Sequence, residues 1–382
     1  MTKTSDILVI GGGLHGLSAA LHLARDGARV RLVERDTIGR HASGVNAGGV
    51  RRLGRHLAEI PLAEAALAMW RAMPDWLGDD CGFKPTGQVK IAESEEDLAL
   101  LTARASEVRG LGFDHEEIID QAALRAIIPA VSDHCAGAMI VRGDGFADPY
   151  RTCIAFRRAA VAAGVLIDEG VEVQELERFG KLWRAQTGGQ IEGEVYEAPE
   201  VVNCGGAWGG GLAARLGEPV PVRAAAYMMM VTDAQPRFVE PVIGLASRKL
   251  SLKQMANGTV VIGGGFEGKL DALTRKTTVD LQELAKSAEI SCTIFHILRK
   301  ARLVRSWAGI DGEAVDKIAV IGRSLLHDGL THAFGFSGHG FQLAPAVGWV
   351  LAGLIRTGEA GLPLAPFSIG RFNELLLNKE QT

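Results

Sequence analysis

Short apolar runs that stop at glycine recur along this chain, and the residues after each stop decide the element. Asp6-Ile7-Leu8-Val9-Ile10 reads as a short buried strand ending at Gly11. Residues 17–25 (LSAALHLAR) place small and apolar side chains at helical spacing until Asp26-Gly27 ends the run. Residues 28–33 (ARVRLV) return as a second strand, closed by Glu34. In mid-chain, DPYRTCIAFRRAAVAAG is expected to be a helix, with Asp148 as N-cap and Pro149 in its first turn. Gly164 leads from it into the strand Val165-Leu166-Ile167 and then EGVEVQELE. Val201-Val202 ends another strand at Asn203-Cys204-Gly205-Gly206-Ala207-Trp208, and IAVIGRS is one more. Residues 341–355 form an apolar helix entered through Gly335, Gly338 and Gly340. Strands alternating with helices give an α/β protein.

Two of the glycine stops are near copies, VIGGGLHG at residues 9–16 and VIGGGFEG at residues 261–268. A dinucleotide unit needs a strand before the turn, an apolar helix after it, a second strand and an acid at its end. The first copy has all four. Gly11, Gly13 and Gly16 supply the tight turn, the approach to pyrophosphate and the helix–strand contact, and Glu34 stands where a carboxylate meets ribose hydroxyls. After the second copy comes KLDALTRKTTVD, with no apolar face and no returning strand. It reads as a strand whose glycines admit a nearby ligand or backbone.

Composition refines this picture. Hydrophobic residues at 47% and charged residues at 23% describe a globular chain whose 382 residues suit two joined domains. Its 48 glycines, well above the usual share of about 7%, cluster at the ends of apolar runs. A net charge of -4 without a Lys/Arg block gives no nucleic-acid or membrane-surface signal. Five scattered cysteines without a CxxC pair argue against a cluster or structural zinc within the chain and fit a reducing cytoplasm. No run reaches the roughly 20 residues of a membrane span.

The segments VIGGGLHGLSAALHLARDG, VRLVE, HASGVNAGG, VVNCGGAW, RSWAGI and FGFSGHGFQLAPAVG together resemble the FAD enzymes of the D-amino acid oxidase, glycine oxidase and sarcosine oxidase superfamily. The wording of HASGVNAGGVR and GFSGHGFQLAP is most similar to the flavin-carrying B subunits of bacterial opine oxidases. The resemblance implies a discontinuous Rossmann-like FAD-binding domain from residues 1–50, 145–215 and 315–382. Residues 51–144 and 216–314 would make an α+β substrate domain whose antiparallel sheet roofs the flavin, with VIGGGFEG in that roof. FAD would lie against Gly11, Gly13, Leu14, His15, Gly16, Glu34 and Arg35, then the loop residues His41, Ala42, Ser43, Asn46, Ala47, Gly48 and Gly49. Val173, Cys204, Gly205, Trp208 and Gly309 would add to it. The turn Gly338, His339, Gly340, Phe341 and Gln342 would meet the ring, where a bare helix N-terminus favours the negative charge of the reduced flavin. Some relatives link the flavin covalently through a histidine, but the spacing of His41 fits them poorly, so non-covalent FAD is expected.

The same resemblance implies oxidation of a C–N bond by hydride transfer to flavin N5. The substrate would be a secondary amine or imino acid, and partner subunits would carry a second nucleotide site and an iron–sulfur centre. The carboxylate anchors differ from those of relatives: Asp311 stands where the glycine oxidase branch has an arginine, and Gln342 where monomeric sarcosine oxidases have a lysine. Arg52 and Arg55 match an Arg-x-x-Arg-His run and are expected to bind carboxylate, with Arg51 as alternate, Gln342 as neutral partner and Tyr227 in the pocket. Val261 replaces the lysine that oxygen-using sarcosine oxidases carry before the Ile-Gly pair of the roof, which favours a dehydrogenase. Alternatives are an oxygen-using glycine or D-amino acid oxidase, a flavin-binding subunit that is not catalytic, and an NAD-linked dehydrogenase.

Overall fold

The computed structural model describes residues 2–189 and 193–372, so the end of the 315–382 segment lies outside the described residues. Three sheets organise the chain. The first has six strands in the order Val320–Arg323, Leu330–Phe334, Glu200–Asn203, Ile7–Ile10, Val30–Glu34 and Leu166–Glu169. All neighbours are parallel except the pair Val320–Arg323 and Leu330–Phe334. Parallel strands buried on both faces need cover on each. The helices Leu14–Arg25, Pro149–Ala162 and Gly340–Thr357 cover one face, and on the other Leu8, Val33, Val201 and Leu330 pack against Leu176, Trp183 and Tyr196. Asp148 caps the middle helix by accepting from Arg151 N–H at 2.9 Å. A second sheet joins Thr2–Thr4, Val195–Ala198, Leu182–Gly189 and Val171–Phe179.

The third sheet has eight strands, in the order Leu303–Ala314, Val222–Thr232, Val260–Gly263, Ser251–Gln254, Val242–Leu245, Gln88–Ala92, Gly137–Val141 and Glu117–Asp120. It is antiparallel apart from one parallel pair, Val242–Leu245 beside Gln88–Ala92. Its two faces follow the period of two in its strands. Val89, Ile91, Met228, Met230, Leu252, Val260 and Ile262 point into one hydrophobic core with the helix Leu281–Ile294. Their alternates, including Gln88, Lys90, Tyr227, Met229 and Ser251, line a cavity. The methionine run at 228–230 thus divides between core and cavity.

VIGGGFEG lies in this sheet. Val260–Gly263 is a strand, and a short hairpin of Lys269–Leu270 with Thr277–Thr278 follows it in place of a helix. A Cβ on Gly263 would stand 2.3 Å from Met229 Sδ, so a larger residue there requires the Met229 side chain to move.

One helix departs from the segment boundaries read from sequence. Ile60–Arg71, inside the 51–144 stretch assigned to the substrate domain, packs into the core of the six-stranded sheet. Its face of Leu62, Ala63, Ala66, Leu67 and Trp70 lies with Leu343, Ala346 and Val347 of the C-terminal helix in that core. Trp70 Nε1 donates to Gln342 O at 2.8 Å. The helix is apolar along one face, and the face that buries it belongs to the other domain.

Candidate active site

The six-stranded and eight-stranded sheets and their loops enclose two cavities of about 810 and 510 Å³ that share Gly13, Ala42, Ser43 and Cys204 in their walls. The larger is built on the first glycine turn. Gly11 takes φ +111°, and a Cβ there would stand 2.3 Å from Cys204 O. A Cβ on Gly16 would stand 1.9 Å from Gly11 O, so the helix Leu14–Arg25 can approach the strand only with glycine at this place. Gly13 caps the helix without a side chain, and Leu14 N–H donates to Ser43 Oγ at 2.9 Å. Glu34, at the end of its strand, accepts from Gly12 N–H at 2.6 Å and Asp36 N–H at 2.8 Å. Arg35 lies over the Trp208 ring at 4.0 Å. His41 packs beside Trp208 and bonds Asp36 at 2.9 Å. Val173, Cys204, Gly205 and Trp208 complete this chamber.

The smaller chamber lies between the 42–55 loop, the roof sheet and the turn before the C-terminal helix. Leu14, His15, Asn46, Ala47, Gly48, Gly49, Gly309, Gly338, His339, Gly340 and Phe341 line it with Tyr227. His15 stacks on Phe336 with centroids 3.6 Å apart, and burial pushes its imidazole down to about 3. Its Nε2 is buried without a hydrogen-bond partner. The helix Gly340–Thr357 begins without a side-chain cap. Gly309 lies so close to the loop that a Cβ would meet Val45 Cγ2 at 2.2 Å, and Trp307 Nε1 donates to Val45 O at 2.9 Å.

A chamber of glycines at a helix N-terminus, with a carboxylate at the end of the second strand, fits the adenosine diphosphate half of FAD. The second chamber, with an uncapped helix N-terminus and the orphaned His15 Nε2, fits its ring half. A sequence model of the family described as FAD dependent oxidoreductase, DAO, matches residues 6–354. The chain belongs to that family. It is therefore an FAD-dependent oxidoreductase. It is 26% identical over 381 residues to glycine oxidase of Geobacillus kaustophilus, covering 97% of this chain and 98% of that one. It is 25% identical to the B subunit of opine oxidase from Rhizobium meliloti, covering 96% and 98%. Among solved structures, L-proline dehydrogenase of P. horikoshii superposes with a TM-score of 0.89 at 25% identity, covering 98% and 99%.

Within this FAD-dependent oxidoreductase, the residues expected to bind substrate do not all meet. Arg52 turns away from the cavity: its guanidinium bonds Glu64 at 2.7 Å and the buried Asp144 at 3.2 Å. Gln342 is not in the wall either. It is fully buried, donating to Ala63 O at 2.8 Å and accepting from Arg55 Nη2 at 3.1 Å. Arg55 touches the wall but is 2% exposed, and its other nitrogens donate to Arg51 O and His339 O. Glu59 pairs with Arg55 at 3.8 Å and with His339 Nδ1 at 2.9 Å. Burial pushes the His339 imidazole down to about 4, leaving it neutral with Nδ1 toward Glu59. Arg55, Glu59, Gln342 and His339 form one buried network that fixes the turn before the C-terminal helix.

Arg51, the alternate, does reach the cavity. Among the described residues its Nη1 alone is engaged, on Leu53 O at 2.6 Å, which leaves the rest of the fork to take an oxyanion. Asp311, standing where arginine was expected, accepts from Gly312 N–H at 2.8 Å and Gly338 N–H at 2.6 Å. It ties the roof strand to the turn, and burial raises its carboxyl to about 6. Tyr227 donates to Glu313 at 2.6 Å. Val261 is half-buried and lies directly opposite Lys253 on the neighbouring strand.

Two lysines escaped the sequence reading. Lys90 lines the ring chamber and Lys253 is buried beside Gly48. The signal in GQVKIA and RKLSLKQ was only polar residues at every second place, Gln88 with Lys90 and Ser251 with Lys253.

Proposed function

We propose that this enzyme oxidises the C–N bond of a carboxylate-bearing secondary amine, opine-like in class, as the FAD-carrying catalytic subunit of a heteromeric dehydrogenase. The observation that carries the reading is Arg51, a guanidinium with free donors in the wall of the ring chamber. Arg51 holds the substrate carboxylate and so sets the α-carbon over the ring. Tyr227, held by Glu313, closes the roof end. Burial keeps His15 and His339 neutral, so no imidazolium competes for the carboxylate. Bound FAD supplies the acceptor for a hydride equivalent. The amine loses that hydride from carbon and a proton from nitrogen, and water then cleaves the imine to a keto acid and a free amine. Resemblance to a relative named as a subunit supports partner chains that pass the electrons on.

Placement of His41 in the adenosine chamber, on Asp36 and Trp208, supports non-covalent FAD. Acid precipitation should therefore release the yellow colour into the supernatant. Anaerobic addition of candidate amines tests the activity: bleaching of the flavin by N-substituted amino acids supports it, and no bleaching by any such amine rejects it.

A second reading, direct reoxidation by dioxygen, is favoured by Lys253. This cation is 5% exposed, lies 4.4 Å over the Phe146 ring, and stands one strand away from Val261. Burial pushes its ammonium down to about 8. Rapid reoxidation of the reduced enzyme by air, lost in Lys253→Met, would select the oxidase; slow reoxidation in both selects the dehydrogenase.

A further inference from the structure

We propose that Lys90 is a specificity residue that docks a second carboxylate, so that the substrate is a secondary amine with an acid group on each nitrogen substituent. The inference rests on the functional reading above and deepens it.

Lys90 sits on the strand Gln88–Ala92, where Val89 and Ile91 point into the roof core and residues 88 and 90 face the cavity. Gln88 is satisfied there by Gly145 O at 2.8 Å. Lys90, half-buried, has no hydrogen bond or ion pair among the described residues. The nearest acid, Glu116, is occupied by Gly54 N–H at 2.7 Å and Arg104 at 3.2 Å. A half-buried ammonium without a partner is unfavourable unless the site's ligand supplies one.

Arg51 shares the same wall, and burial together with its charge lowers the Lys90 ammonium. The other charged groups of the chamber are already matched. Arg55 faces Glu59, the neutral His339 adds no charge, and Asp311 is held by two backbone N–H groups at the far turn. Two positive charges therefore remain, and a single amino-acid carboxylate answers only one. The Arg51 fork suits the α-carboxylate through paired N–H donors, whereas the Lys90 point charge suits a group reached from another direction. Gly54 leaves the ammonium open: a Cβ there would stand 3.5 Å from Nζ.

Binding of two unreactive analogues to the holoenzyme, followed by perturbation of the flavin spectrum, tests this without turnover. Methylthioacetate carries one carboxylate and thiodiacetate two, with sulfur in place of nitrogen. The wild type should bind thiodiacetate at least tenfold more tightly. Lys90→Met should abolish that preference while leaving the Kd for methylthioacetate within twofold, and Lys90→Arg should restore part of it. Equal affinities in the wild type, equal weakening of both analogues in Lys90→Met, or no binding of either would overturn the proposal. Diacid preference without bleaching by any amine would keep Lys90's role and reject the amine oxidation. Bleaching by monoacid amines without diacid preference would do the reverse.

Discussion

Arg55 donates from Nη2 to the side-chain oxygen of Gln342 across 3.1 Å, and both side chains are sealed from solvent. The bond joins the loop after the first domain to the first turn of the C-terminal helix, with Glu59 compensating the charge. These two residues thus brace the ring chamber's floor: Gln342 lies outside its wall, and the Arg55 guanidinium is committed to Arg51 O, His339 O and Gln342. Gln342→Leu leaves a buried guanidinium donor unmet, which costs about 1–3 kcal/mol. A lower Tm and weaker FAD retention should result, with KM for substrate unchanged in the folded fraction. A raised KM at unchanged Tm would show that Gln342 meets the substrate after all.

Arg51 and Arg52 follow the short strand Gly49–Val50, and only Arg51 reaches the cavity wall. Arg52 bonds Asp144 and Glu64 and lies outside the cavity wall. Arg52→Met should lower Tm by several degrees, because it strands the buried Asp144, and should leave KM within about twofold. Thermal denaturation and steady-state kinetics on one preparation check both halves.

Glu34 closes the adenosine chamber and orients the glycine turn through Gly12 N–H. Glu34→Ala removes that bond and the carboxylate available to ribose. Its Kd for FAD should rise by at least tenfold, measured by flavin fluorescence on reconstituting the apoprotein, with the fold retained. An unchanged Kd would place the nucleotide elsewhere.

Glu218 offers a pH test remote from the chemistry. Burial alone would raise its carboxyl, but hydrogen bonds with His332 and Ser324 and one from Leu325 N–H outweigh it and bring it down to about 2. The folded state therefore holds its proton less tightly than the unfolded chain, whose carboxyl titrates near 4.5. The stability this contributes is present above the unfolded value and is lost as pH falls toward 2. Between pH 5 and 3 the wild type should lose more stability than Glu218→Gln, read as the difference of two chemical denaturation series.

Local physics made much of this molecule legible beforehand. The strand Ile7–Ile10, the helix after it and Glu34 are specified by neighbours in sequence, and so are the Asp148 cap and the apolar C-terminal helix. The contrast between VIGGGLHG and VIGGGFEG also rests on the residues just after each turn. Cavity-facing residues were harder, because orientation there depends on register between distant strands. Arg51 and Arg52 differ by a single step along the chain, yet only one reaches the cavity. Gln342 comes two residues after Gly340 of its turn, but helix packing against Ala63 draws it inward. Lys90 comes to face the 42–55 loop through the register of its strand with Val242–Leu245 and Gly137–Val141, contacts that no local pattern announces. The helix Ile60–Arg71 shows an apolar face in sequence but not which domain it covers.

Arg51 is proposed to anchor the carboxylate of an oxidisable secondary amine in the ring chamber. Anaerobic titration of wild type and Arg51→Met with an N-carboxyalkyl amino acid, read as loss of flavin absorbance, tests it most directly. The wild type should bleach fully and saturably, and Arg51→Met should retain its yellow FAD but require about a hundredfold more amine. Identical titration curves for the two proteins, or no bleaching of the wild type, would contradict this role of Arg51.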